Sequence, residues 1–376
     1  MKNIINYIIL FSLLIGLALL YRRMEEKRTK EASNNIYEEI QKYLLDDASL
    51  AKSKKPILWI HVPYEYNSRK WLSFGSRSSF DLNQPYLYLT VKSILIQCEE
   101  SFTICFIDDL SFQKLIPGWN MDMTQVSDPI LSNLRQLGLM NLIYIYGGMI
   151  CPISFVCIKD VIGLYKKGTQ GNKMFLCEMV DRNITSTTYP FYPNLWFSGA
   201  HKNNSTVKQL IDFIQRIIST DYTTQSVFLG DFNRWCEKRL QKKEINLING
   251  LDIGTKTVEE EPIVLEDLMS QQYLNIYPQA YGILIPAQEL LNRVHFEWFI
   301  RMSQKQVLES NTIIGNYLLL TNAPDAKQRG GEILEPLQVK PSNWVGFWKT
   351  PLYPGLYGQK PNFLGDNLRL LPYSGR

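Results

Sequence analysis

The sequence predicts an α/β domain: a mixed sheet flanked by helices, behind an N-terminal transmembrane helix and ahead of a helical C-terminal extension. Three observations predict it. One uncharged apolar run opens the chain, short apolar runs then alternate with helix-period segments, and helical spacing dominates between residues 263 and 320.

The apolar run is Ile4 to Tyr21, with polar atoms only at Asn6, Tyr7, Ser12 and Tyr21. About 20 apolar residues cross a hydrocarbon layer. The run ends in Leu20-Tyr21-Arg22-Arg23, not in the small residues of a cleavage site, so it is expected to remain as an anchor. Only the amino terminus and Lys2 precede it, whereas Arg22, Arg23, Lys27, Arg28 and Lys30 follow. The side richer in Lys and Arg stays in the cytosol. The expectation is therefore a single-pass membrane protein with a cytosol-facing domain. The same basic cluster can attract anionic headgroups. Asn183-Ile184-Thr185, Asn203-Asn204-Ser205 and Asn204-Ser205-Thr206 are formal glycosylation triplets and pull toward a lumenal domain. They are weighted below the charge asymmetry.

Composition excludes several classes. The net charge of +4 is small and largely explained by the juxtamembrane cluster, so nucleic acid is not an expected partner. Six Cys (98, 105, 151, 157, 177, 236) contain no C-x-x-C pair, which argues against a zinc site or a dense disulfide framework. Cys98, Cys105 and Cys157 sit in apolar or strand-like runs, where a free Cys acts as a small hydrophobe. No nucleophile elbow, phosphate loop or dinucleotide fingerprint occurs.

Five segments follow: an anchor (1–21), a polar stalk (22–54), an α/β domain (55–250), a helical region (251–335) and a Pro-, Gly- and aromatic-rich tail (336–376). Within the domain, Ile57–Val62 reads as a buried strand, 85–97 as a helix and 102–107 as a second strand. That order suggests a parallel unit with helices on both faces. Ile130, Leu131, Leu134, Leu137, Leu142 and Ile143 have helical spacing, and Gly147-Gly148 stops that helix. Extended segments are read at 149–150, 155–158, 174–178 and 194–199, and a helix at 206–219.

Four features recur in a fixed order: the opening strand Lys55 to His61, the strand ending in Ile107-Asp108-Asp109, the helix running into Leu142-Ile143-Tyr144-Ile145-Tyr146-Gly147-Gly148-Met149, and Asn194-Leu195-Trp196-Phe197-Ser198-Gly199-Ala200-His201-Lys202 before a further helix. This layout, over residues 55 to 220, resembles the sugar-transferring enzymes of the capsular-polysaccharide and mannosyltransferase type. The altered motif and tail also resemble glycosyltransferase-like proteins of large DNA viruses. The resemblance implies a GT-A-like (Rossmann-like) fold and a nucleotide-sugar donor. It also implies an Asp-x-Asp pair that holds manganese or magnesium against the departing diphosphate.

Here the two acidic positions fall on Pro152 and Ser154, and proline has no side-chain ligand. The family's donor-side Asp and Arg fall on Gln136 and Leu139, while Arg135 is expected to point elsewhere on the helix. No residue is therefore assigned to a metal, and manganese or magnesium is expected only if the chain is active. The catalytic candidates are Asp108, Asp109 and His201; the first two can equally be turn residues. The donor-side candidates are Trp59, His61, Gly147, Gly148, Ser154, Asn194 and Ser198. His61 and His201 are expected to line one cleft, or else to be structural. Trp59, Trp196, Trp344 and Trp348 could stack on sugars, although burial explains aromatics more often. Asp231 reads as a loop acid, and His295 as part of an aromatic-rich core helix.

Three functions remain open. One is a membrane-anchored glycosyltransferase-like binding or scaffold module without metal-dependent transfer, a pseudoenzyme. The second is an active transferase with a non-standard site. The third is a structural virion or envelope protein. An enzyme should gather acids at the carboxyl edge of the sheet near Asp108 and Ser154; a scaffold should fill that edge with side chains such as Phe155 or Met149. The expected partners are a membrane and a nucleotide sugar or glycan.

Overall fold

A computed structural model of the chain describes residues 55–63, 84–126, 128, 130–181, 190–220, 225–271 and 273–322. The anchor, the stalk, the tail with Trp344 and Trp348, and the Asn183 triplet lie outside these residues. Among the described residues no helix is long and apolar enough to cross a membrane.

The central sheet has six strands in the order β2-β1-β3-β6-β5-β7. These are β1 (Ile57–His61), β2 (Thr103–Ile107), β3 (Gly148–Ile150), β5 (Met174–Val180), β6 (Phe191–Ala200) and β7 (Ile245–Ile248). β1 runs parallel to both β2 and β3, and β5 parallel to β7; β6 alone is reversed between β3 and β5. Leu58, Trp59 and Ile60 are wholly buried, as a strand covered on both faces requires. The long helices are α1 (Tyr86–Cys98), α3 (Ile130–Tyr146), α5 (Ser205–Ser219) and α6 (Gln225–Gln241), with short α2 (Ser111–Leu115) and α4 (Ile162–Gly168) between strands. The result is a mixed sheet flanked by helices, compatible with a Rossmann-like fold.

Asn204 starts α5 by accepting hydrogen bonds from the Thr206 and Val207 amides, and its Nδ2 donates to the Asn172 carbonyl. Two of the formal glycosylation triplets overlap this cap. Asn204 is buried in it, whereas Asn203 is exposed.

A satellite sheet pairs β4 (Phe155–Cys157) antiparallel with β8 (Gly282–Leu284). The sequence marks no strand at β8: three residues carry no period, and only pairing with β4 makes them extended. Beyond β7 come α7 (Leu265–Met269), α8 (Ala287–Asn292), α9 (Glu297–Arg301), α10 (Gln304–Leu308) and α11 (Ile313–Asn322). Their core is shared with the domain before them. Leu268, Phe299, Val307 and Leu318 belong to one cluster with Tyr86 and Leu89 of α1 and Val156 of β4.

α6 corrects the expectation that Asp231 is a loop acid. Asp231 lies inside the helix, paired with Arg234 one turn on, while Phe232, Trp235 and Cys236 form the buried stripe. All six cysteines are free and buried. Burial pushes the Cys105 thiol up to about 12, in keeping with an inert apolar role.

Candidate functional site

The chain leaves β1 for β2 on one side and later returns as β3 on the other. That makes the carboxyl ends of β1 and β3 a topological switch point, where open α/β sheets place their ligands. Four side chains meet there. His61 ends β1, Asp109 lies two residues past β2, Arg135 comes from α3, and Trp196 from β6.

Asp109 holds the group together. Arg135 donates to it in a fork, Nε to Oδ1 at 2.9 Å and Nη2 to Oδ2 at 2.7 Å. His61 Nε2 lies 2.9 Å from Oδ1. Burial raises the Asp109 pKa, but the His61 and Arg135 hydrogen bonds and charges outweigh it and hold the group at about 2. An ionised carboxylate only accepts, so the His61 proton sits on Nε2. Burial lowers the His61 pKa, and this outweighs the opposing pull of Asp109. With the imidazole neutral near pH 7, Arg135 supplies the positive charge. The His61 ring stacks on Phe112 with centroids 5.7 Å apart, and Trp196 tilts over it at 6.1 Å.

Trp196 is placed by a bulge. The β5–β6 register jumps from Leu176↔Ser198 to Cys177↔Asn194, so Leu195–Phe197 bow out of the ladder. Asn194 Oδ1 accepts from the Trp196 amide at 2.7 Å, and Ser198 Oγ donates to the Leu195 carbonyl at 2.7 Å. Bulges re-aim side chains in this way, and these two polar residues satisfy the backbone it disturbs. Asn194 and Ser198, expected to face a donor, are buried supports of the bulge.

Several other candidates are placed differently from expectation. Trp59 is 0% exposed and its Nε1 donates to the Gly147 carbonyl at 2.9 Å, so it is core and presents no stacking face. Gly147 and Gly148 open β3 at the amino edge, the far end of the sheet from His61; both have positive φ, 75° and 100°. His201 also lies at that amino edge, because β6 is reversed and Ala200 pairs with Gly148. It contacts Tyr165 (Oη to Nδ1, 3.3 Å) and is not brought together with His61. Asp108 is exposed and accepts from the amide and hydroxyl of Ser111, a turn that starts α2. His295 is part-buried in a short 3₁₀ turn, where burial lowers its pKa to about 4.

Arg135, expected to point elsewhere, and Phe112, for which the sequence carries no signal, complete the site. Arg135 does not point elsewhere. Its long side chain reaches back from α3 to the carboxyl edge, and the only sequence signal was its spacing from Gln136. The positions of the implied metal acids do not fit a hard cation. Pro152 offers no donor, and Ser154 is buried with Oγ donating to the Ile285 carbonyl at 2.8 Å. Among the described residues no group of three or more His, Cys, Asp or Glu is placed to hold a metal. Compared with protein-family models, curated proteins and solved structures, the chain matches none of them.

The site has a definite pH dependence. The His61 folded-state pKa is depressed below 6.5, so the unfolded chain binds more protons once the pH drops past that value. His61 thus contributes stability that is complete above pH 6.5 and shrinks as the solution is acidified. Asp109 acts in the same direction at lower pH: its contribution is present above its unfolded value near 3.8 and is lost toward about 2. His61→Gln keeps an N–H donor and removes the titration. Its melting temperature should fall less steeply between pH 6.5 and 5 than that of the wild type. Part of the slope persists because His295 also titrates. Parallel wild-type and variant curves would refute this assignment.

Proposed function

We propose that this chain is a glycosyltransferase-like protein of GT-A type, held to a membrane by residues 4–21, that acts as a binding or scaffold module without metal-dependent transfer. One observation carries the proposal. The carboxylate at the switch point, Asp109, is fully engaged by Arg135 and His61, and the positions that should supply metal acids are Pro152 and a buried Ser154. Three further features support it. The reversed β6 lies inside an otherwise parallel sheet, Met149 and Phe155 are wholly buried, and Phe155 packs edge-on against Phe197 at 5.0 Å. Trp196, half-buried above His61, is the aromatic surface that a nucleotide sugar or glycan would meet.

The test is a thermal-shift titration of the full chain with nucleotide sugars and oligosaccharides, with and without manganese. A ligand bound only by the folded state adds about 2.7 kcal/mol at a hundred times its dissociation constant. The proposal expects a rise in melting temperature that manganese does not alter. A rise that requires manganese would overturn it in favour of an active transferase. The His61–Asp109 pair is what favours that second function, since a neutral imidazole oriented by a carboxylate has the form of a general base.

A further inference from the structure

Among the described residues, the two edges of the central sheet differ in how their charges are paired. At the carboxyl edge the acids Asp109, Glu178 and Asp252 are each joined to a cation: Arg135, Lys256 and Lys167. The amino edge is lined with lysine. Lys55 precedes β1, Lys202 follows β6, Lys173 precedes β5, and Lys242 and Lys243 precede β7.

These residues lie along one line of the fold. Gly148 pairs with Ala200, and Met174 pairs with Ile245, so the ends of β3, β6, β5 and β7 lie side by side. The Asn203 amide donates to the Tyr144 carbonyl at 2.8 Å, and Asn204 Nδ2 to the Asn172 carbonyl at 2.8 Å, which fixes the turn carrying Lys202 beside that carrying Lys173. Lys202, Lys242 and Lys243 are exposed and Lys173 is half-buried. None of the four has an ion pair among the described residues. Lys55 donates to the Glu99 carbonyl. The acids nearby among the described residues are Glu99 and Glu100 at the end of α1, Asp160, which accepts from the Ser101 hydroxyl and the Ile162 amide, and Glu244, which is taken by Arg239.

The chain enters the domain at this edge. Residues 4–21 are the apolar run, and Lys55 is the first described residue after it. We propose that the amino edge of the sheet docks on the anionic headgroups of the membrane that holds the apolar run. The proposal rests on reading that run as an anchor. Four lysines without an ion pair among the described residues are weakly attractive to an anionic surface from free solution, but tethering raises the effective concentration of the two surfaces. Docking in this orientation turns the switch-point site, with Trp196 and His61, away from the bilayer.

The test uses the full chain in nanodiscs of phosphatidylcholine alone or with phosphatidylserine. Lysines are acylated and counted by mass spectrometry. Lys114 of α2, exposed and without an ion pair among the described residues, is the internal control at the opposite edge. Lys173, Lys202, Lys242 and Lys243 should be acylated several-fold more slowly in the phosphatidylserine discs, relative to Lys114. The protection should vanish in 1 M salt, where the screening length falls to ~3 Å. Equal labelling in both discs would overturn the proposal. So would stronger protection by single-stranded RNA added to the phosphatidylcholine discs, which would assign the edge to nucleic acid. Co-purification with the discs is scored separately. A chain that fails to co-purify puts the anchor at fault, and one that co-purifies but labels equally puts the docking at fault.

Discussion

Gly148→Ala is expected to be the most damaging small substitution in the domain. Gly148 has φ +100° and begins the strand that pairs with β1. A Cβ there would be driven into the backbone of Ile57, against its carbonyl oxygen, carbonyl carbon and Cα, and a backbone neighbour cannot swing aside. Strained backbone of this kind costs about 1–3 kcal/mol on its own. Pushing β1 away from β3 raises the total to roughly 4 kcal/mol or more, the range of severe single substitutions. A drop in melting temperature of about 10 °C or more should follow, readable by circular dichroism of the detergent-solubilised chain. Gly118→Ala is the matched control. Its φ is +77°, but nothing lies within 4 Å of the added carbon, so only the conformational term remains. If the two variants melted together, the close approach of β3 to β1 would be wrong.

Arg135→Leu should come next. It leaves the Asp109 carboxylate with only the neutral His61 as a partner. Breaking a fully buried pair costs about 3–5 kcal/mol. Asp109 is 20% exposed, so water recovers part of the loss and about 2–3 kcal/mol is expected. Asp109→Leu should cost a similar amount by stranding the guanidinium. The double variant should be more stable than either single one, because it buries no unpaired charge. Urea denaturation of the four proteins gives the coupling directly. If the two losses simply added, Asp109 and Arg135 would not form the unit described.

Much of the fold was legible because its elements announce themselves locally. Ile57–His61 and Thr103–Ile107 are short apolar runs, and α3 carries its apolar residues at helical spacing up to two glycines. What was hidden depends on partners distant in sequence. Strand β8 exists only because β4 lies beside it. Helix α6 was concealed by Gly230-Asp231, which resemble a turn until Phe232, Trp235 and Cys236 are seen to share a face. The direction of β6 has no local signature, and its reversal is what carries His201 to the opposite edge from His61.

The site was legible in composition more than in geometry. Asp109 and His61 were candidates because each ends a strand, and the parallel pairing of β1 with β2 brings them together. Asp108, its neighbour, is used by a turn. Asn194 and Ser198 were donor-side candidates because they stand in the string that carries the resemblance. Their hydrogen bonds instead serve a bulge, which register alone reveals. Arg135 was discounted on helix phase, yet an arginine can reach across more than its own face of a helix.

The central claim is that the carboxyl edge of this sheet has, among the described residues, no free carboxylate set for a hard divalent cation. Electron paramagnetic resonance of manganese tests it most directly, by titrating the full chain into a fixed manganese concentration without nucleotide. The account predicts that the six-line signal of the free ion persists at every protein concentration. Saturable loss of that signal, abolished by Asp109→Asn, would contradict it.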